Sequence, residues 1–340
     1  MTIANVETAS TASLPEETRR KIGEMLTRDE IKRLTAHSDL RGFWAVGSTW
    51  AVIAGAFVLL AWATTQPLAV AIPTFLVGLC IIAGRQLGLA ILMHDASHGT
   101  LFKTRWLNYV FVDWVCARPI WNDLQKYRVH HLVHHSKTGT DKDTDISLVT
   151  PFPCSRGSLL RKFMRDLSGI TGIKFFVGRL LMDMGYIQWT VAGEVVRLPA
   201  EGQTMADRLR LLARNASPTV LVNALLFSLL WAAGHPWLFV AWLAAYATPF
   251  SLFVRIRSLA EHACTERTSD MFRKTRTTRA GWLARATVAP LRVNFHLEHH
   301  ALPSVPYFQL PRMHEMLRAR GGVAEAPGYL DVLKIVSSGP

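Results

Sequence analysis

Four histidines fall within six positions of the segment 126–145, KYRVHHLVHHSKTGTDKDTD: His130, His131, His134 and His135. On a helix, side chains three and four residues apart share a face, so His131, His134 and His135 point together, and His130 with His134 forms an overlapping alternative. Two further clusters supply partners. ILMHDASHGT sets His94 and His98 at i, i+4, and NFHLEHHALP sets His296, His299 and His300 at i, i+3, i+4, repeating the central spacing. One such pair is ordinary in a protein surface or core; three clusters in one chain point to metal binding. With His262 in RSLAEHA as an addition, the set outnumbers the four ligands of one tetrahedral zinc site and suits two metals in a helical bundle. Imidazole accepts zinc, copper, iron or nickel, so ligand type leaves the metal open. The chain has neither HExxH nor ExxH, which excludes a zinc-protease helix and the carboxylate-rich di-iron bundle.

The elements that must position these clusters are apolar. Half of the 340 residues are hydrophobic, and residues 43–63 and 66–84 carry no charge. Each is near the ~20 residues that cross a ~30 Å hydrocarbon core. The TTQP between them predicts a transmembrane hairpin, and residues 216–233 and 237–254, joined by Gly234, His235 and Pro236, predict a second. Pro73 and Pro249 are tolerable in such spans. Residues 68–93 as one helix measure ~39 Å, about 9 Å more than the core, so His94 and His98 are expected to stand clear of the membrane. Continuing the fourth span through RIRSLAEH carries His262 ~12 Å beyond it.

The formal charge of +13 comes from 38 Lys and Arg against 25 Asp and Glu, and neither short turn contains Lys or Arg. By the positive-inside rule both termini and the middle region are cytoplasmic, in an inner or cytoplasmic membrane. The charge then reflects topology and membrane lipids, and no nucleic acid partner is implied. Trp44, Trp62, Trp231 and Trp237 lie near span ends as an aromatic belt would. Cys80, Cys116, Cys154 and Cys264 show no paired spacing, so reduced thiols are expected. The first apolar run is a full span, so it is expected to stay in the membrane uncleaved.

Before the first span, Ser13–Glu16 and Thr27–Glu30 read as capping boxes. Ile22, Met25, Leu26, Ile31 and Leu34 give the helices an apolar side, expected to lie on the inner membrane surface. Arg85 is expected to snorkel to headgroups, with contact to a substrate head as the alternative. Residues 102–122 and 169–198 read as interfacial helices, and 321–340 as a loosely packed tail. The expected architecture is all-α: four transmembrane helices in two hairpins under a cytoplasmic histidine-rich helical cap that holds a di-metal site. Its divisions are 1–40, an amphipathic N-terminal segment; 41–318, the catalytic domain; and 319–340, the tail.

HDASH, then HLVHH, then a hydrophobic hairpin, then HLEHH followed by ALPSVPYFQLPRMH resembles the membrane fatty acid desaturase family over roughly residues 40–318. The resemblance implies two iron ions held by His94, His98, His131, His134, His135, His262, His296, His299 and His300. His130 is placed behind the ligands, and His37, His235 and His314 fall outside the ligand pattern. The implied reaction uses O2 and two external electrons to take hydrogens from neighbouring methylenes of a long acyl lipid or thioester, giving a cis double bond and water. Asp95, Asp141, Asp143, Asp145, Glu261, Glu298 and Asn294 are candidate acceptors for the second ring nitrogens. Without a fused carrier, electrons come from a separate ferredoxin, rubredoxin or b-type haem protein, for which Arg156, Arg161, Lys162, Arg165, Arg273, Lys274 and Arg276 offer a basic face. Hydroxylases and ketolases of the same superfamily, acting on a lipid, carotenoid or alicyclic substrate, share the boxes. A histidine-rich membrane metal-binding protein or transporter is the non-enzyme alternative, disfavoured because the spans lack ionisable residues at mid-membrane.

Overall fold

A computed structural model describes residues 16–188, 195–199, 202–268 and 270–340. The cap expected at Ser13 lies outside them. Two short helices, α1 (Glu16–Met25) and α2 (Arg28–Leu34), come first, and the Thr27–Glu30 capping box forms: the Thr27 hydroxyl accepts from the Glu30 N–H and the Glu30 carboxylate accepts from the Thr27 N–H at 2.8 Å. Their apolar side does not lie on lipid, as the sequence suggested. Ile22, Leu26 and Leu34 are buried against Leu302, Leu310, Met313 and Leu317, a partner surface nearly 300 residues away that periodicity alone does not reveal.

The first hairpin is α3 (Asp39–Ala63) and α4 (Leu68–Ser97). At 30 residues, α4 measures ~45 Å, longer than expected, and His94 lies in its last turn. Residues 102–122 are less regular than an amphipathic helix. They form two widened π-helical turns, Leu107–Phe111 and Asp113–Ala117, then a 3-10 turn, with Val112, Cys116 and Ala117 buried.

Then follow α5 (Leu124–Lys137), the short α6 (Ile146–Val149), α7 (Arg156–Leu167) and α8 (Ile170–Asp183). Beyond α8 the chain departs from the all-helical expectation in a two-stranded antiparallel ribbon, β1 (Ile187–Gln188) with β2 (Val196–Arg197). The second hairpin is α9 (Met205–Ala232) with α10 (Leu238–Ala247) and α11 (Pro249–His262), the last two being one apolar span bent at Thr248, where Pro249 removes a backbone donor.

In none of the four spans is more than 39% of the most apolar window buried. Leu76, Leu221, Leu225 and Val240 point outward instead. Core helices of a soluble protein would bury such residues; these need lipid, and the chain is an integral membrane protein. Trp44, Trp62 and Trp231 are exposed at the span ends, where a belt requires them.

The remainder is short: α12 (Met271–Lys274), α13 (Trp282–Ala286), α14 (His296–Ala301), α15 (Leu310–Ala319) and α16 (Tyr329–Val336). The tail is not loose. Val332 and Val336 of α16 are buried against Leu159, Leu259 and Ala260.

Arg85 neither snorkels nor reaches a cavity: it donates to the carbonyls of Arg285 and Ala286 at 2.9 and 3.0 Å, closing α13 onto α4. Gln86 beside it donates to the Trp242 carbonyl, tying the two hairpins together. That approach is why residue 84 is glycine. A Cβ there would sit 2.1 Å from the Ala286 oxygen. Gly84→Ala is expected to cost roughly 1–3 kcal/mol, read as a lower melting temperature in detergent; an unchanged transition would show that α13 moves aside freely.

Candidate metal centre

Four elements converge at the membrane-exit ends of α4 and α11. The C-terminus of α4 brings His94 and His98, α5 brings His131, His134 and His135, α11 ends on His262, and α14 brings His296, His299 and His300. Arg128 of α5 donates to the Ser97 carbonyl, which fixes α5 against the last turn of α4. Asn108 bonds both the N–H and the carbonyl of Phe102, holding the loop that follows His98. At the other end of α5, Lys274 donates to the Thr138 carbonyl. Burial pushes its ammonium down to about 8.

The nine histidines form two groups. His94, His98, His131, His135 and His299 make the first, and His134, His262, His296 and His300 the second, with the potential ligand atoms of each within 4.8 Å of one another. The division cuts through the sequence boxes for a helical reason. Residues four apart on α5 and α14, the pairs His131 with His135 and His296 with His300, keep to one side. The residue next to each i+4 partner is turned ~100° and enters the other group. So α5 gives His134 to the second group and α14 gives His299 to the first. The groups touch where the His135 and His300 rings stack at 4.1 Å.

Ring nitrogens approach too closely and too many at once to satisfy each other. His131 Nε2 lies 2.9 Å from His98 Nε2 and 3.0 Å from His135 Nε2; His299 Nε2 lies 3.1 Å from His135 Nε2, and His296 Nε2 2.8 Å from His262 Nε2. Two nitrogens ~2.1 Å from one ion and at right angles to each other stand ~3.0 Å apart. His94 Nε2 and both nitrogens of His300 are buried with no hydrogen-bond partner among the described residues. A cation in each group resolves both features, so the residues fit a di-metal site.

Protonation agrees. Burial, followed by the neighbouring imidazoles, holds His131, His135, His296, His299 and His300 well below the ordinary histidine range, and burial takes His98 down to about 3. These rings stay neutral and keep a lone pair for metal. His134 differs: burial lowers it, but the charges of Asp145 and Asp143 and the Asp143 hydrogen bond outweigh that and raise it.

The carboxylates divide into those that orient ligands and those that do not. Nδ1 of His94 lies 2.8 Å from an Asp95 oxygen, and Nδ1 of His134 donates to Asp143 at 2.7 Å; because the ionised Asp143 only accepts, Nε2 of His134 is the nitrogen that faces the metal site. Glu261 lies 3.6 Å from His296 Nδ1. Asp145 binds His130, which stands outside both groups. Glu298 accepts from Nδ1 of His314 at 2.6 Å and from Thr277, steadying α14 without touching a ligand ring. Asn294 spends its amide on the Thr278 carbonyl, and Asp141 is exposed. Asp143→Asn is expected to weaken metal retention ~10–100-fold, measured by chelator competition; unchanged retention would mean that His134 needs no acceptor.

Two features escaped sequence reading. Tyr127 stacks on His131 with ring centroids 5.1 Å apart, and Arg257 of α11 pairs with Glu261 at 2.7 Å. An arginine at i, i+4 before a glutamate at the end of an apolar span was the available signal for the second. Beside the histidines lies a cavity of about 320 Å³, with Leu87, Ala90, Met93, Phe250 and Val254 on its apolar wall and His131, His134, His262 and His296 on its polar one.

The model of the fatty acid desaturase family matches residues 65–327. Dihydrorhizobitoxine desaturase of Bradyrhizobium elkanii is 27% identical over 308 residues, an alignment covering 87% of this chain and 80% of that protein.

Proposed function

We propose that this chain, which belongs to the fatty acid desaturase family, is an O2-dependent desaturase that takes two hydrogens from neighbouring methylenes of an acyl chain held beside its histidines. It is a membrane oxidoreductase of that family with a site suited to two metals. The observation that carries the reading is the convergence of nine imidazoles in two groups, four of which, His131, His134, His262 and His296, face a cavity that also has an apolar wall.

His94, His98, His131, His135 and His299 would hold one iron ion and His134, His262, His296 and His300 a second, and the pair would supply the activation of O2 that an unactivated C–H bond demands. The overall change balances as CH2–CH2 plus O2, two electrons and two protons giving CH=CH and two waters. Asp143 keeps the proton on the outer nitrogen of His134, and Asp95 holds the orientation of the His94 ring, so that the inner nitrogens face the site. Leu87, Met93, Phe250 and Val254 hold the hydrocarbon against the histidine wall. We place the catalytic domain at residues 41–318, and both termini and the site on the cytoplasmic side because neither short turn carries Lys or Arg.

Electrons then come from a separate ferredoxin, rubredoxin or b-type haem protein. The docking face expected from sequence is smaller than it looked. Lys274 is buried, Arg276 donates to the Ala263 carbonyl, Arg273 pairs with Glu266 and Lys162 donates to Ser158, which leaves Arg156, Arg161 and Arg165, all exposed on α7, as the basic residues for an acidic carrier.

A second reading keeps the reaction and changes the substrate to a smaller, more polar molecule. The cavity is near the low end of the ~300–1,000 Å³ usual for small-molecule sites, charged residues line it, and the relative named above is a desaturase of dihydrorhizobitoxine. The test is the product profile of a host expressing the chain against one expressing His131→Ala with His299→Ala, followed by mass spectrometry of both acyl lipids and water-soluble acids. A species two hydrogens lighter, made only by the intact protein, is expected. A product heavier by one oxygen would sink the desaturase reading in favour of a hydroxylase or ketolase.

A further inference from the structure

The cavity has a second polar end, away from the histidines. Lys126 and Arg179 line it there, both drawn to Asp183: Arg179 Nε donates to Oδ2 at 3.2 Å, and Lys126 Nζ stands 3.7 Å from Oδ1. On α5, Lys126 precedes His131 by five residues and His134 by eight, which is ~8 and ~12 Å along the axis. Asp123 lies within electrostatic range of both cations, and Oδ1 of Asp183 has no hydrogen-bond partner among the described residues. Arg179 Nη2 and Trp121 Nε1 are buried donors on residues that line this cavity, and neither has an acceptor among the described residues. Buried donors are normally paired, so two of them at one end of one cavity point to an acceptor that arrives from outside. Trp121 is moreover held at φ 54°, ψ 39°, a left-handed backbone that a bulky residue rarely adopts and that tends to persist at ligand sites.

We propose that Arg179 and Trp121 bind a free carboxylate at the head of the substrate, so that the enzyme acts on an acid and not on its ester or thioester. The inference rests on the desaturase reading for its view of the cavity as a substrate site. A guanidinium presents parallel donors that match the two oxygens of a carboxylate, and the indole N–H adds a third. Lys126 balances Asp183 while Arg179 turns its free edge to the ligand. The anchored head stands several carbon–carbon bonds from the histidine wall, and the apolar residues between accept the chain. Position of desaturation is then counted from the carboxylate.

The test uses the full-length, metal-loaded protein in detergent, and reads equilibrium binding of octanoate and dodecanoate against their methyl esters without reductant. Wild type is expected to prefer the acids at least about tenfold, the size of one good charged contact. Arg179→Gln should abolish that preference, Arg179→Lys should keep part of it, and Trp121→Phe should reduce it severalfold. Melting temperature and metal content report whether each variant is folded. Equal binding of acid and ester by wild type, or a preference that survives Arg179→Gln in a folded protein, overturns the proposal. Adding reductant and O2 separates the two readings: esters desaturated as well as acids would sink the carboxylate anchor alone. Acid-selective binding with no double bond formed in any acid would support the anchor and sink desaturation.

Discussion

Alanine at His262 is expected to lower bound iron from about two ions per chain to about one, and to take product formation below detection. The second group has four imidazoles, and His262 is the one contributed by a membrane span. Its loss leaves His296 Nε2 without its 2.8 Å neighbour and reduces the group to three side chains. The effect should exceed the ~10–100-fold typical of a residue that only supports a ligand. His130→Ala is the matched control, because that ring binds Asp145 and stands outside both groups. Metal analysis of the two purified variants decides. Two irons retained in His262→Ala would remove this histidine from the ligand set; one lost in His130→Ala would add that residue to it.

Arg118→Ala should damage the fold more than any other single change off the metal site. Arg118 bridges two carboxylates, Asp113 at 2.8 Å and Asp123 at 3.1 Å, and all three side chains are nearly buried. Both acids hold the start of α5: Asp113 accepts from the Leu124 N–H and Asp123 caps the helix through the Lys126 N–H. Without the guanidinium two buried negative charges face each other, and breaking such an arrangement costs about 3–5 kcal/mol. Denaturant unfolding in detergent is the measurement, with metal content as a second readout because the helix that loosens carries three of the histidines. A loss below about 1 kcal/mol would mean that water reaches the carboxylates and screens them.

Much of the architecture was legible because lipid imposes a local rule: an uncharged run of about twenty residues has few other places to go. The two hairpins, the long α4 and the delivery of His94, His98 and His262 to one place followed from residue counting. Eight of the histidines were legible from spacing and His262 from the run of the fourth span, yet their partition was not. Spacing on one helix says which rings share a face, whereas membership of a group depends on how α4, α5, α11 and α14 are packed. The same limit explains the other differences. Arg85, Lys274 and Arg276 look like surface cations in sequence and serve as internal donors to carbonyl groups, and α1 and α2 look like membrane-surface helices because their true partner, α15, lies so far along the chain. Arg179 and Trp121 were invisible for a further reason: an unpartnered donor is defined by what fails to surround it.

Both groups are completed on α14, by His299 and His300, yet they fill unequally during synthesis. By the time His135 has been made, the first group has four of its five rings, while the second has only His134. About 130 residues, including the whole second hairpin, must still be translated and inserted before His262 appears. At ~5–20 residues per second that interval is of the order of ten seconds. For that interval the nascent chain carries most of one group's imidazoles and a single one of the other's, an asymmetry written into the order of the helices.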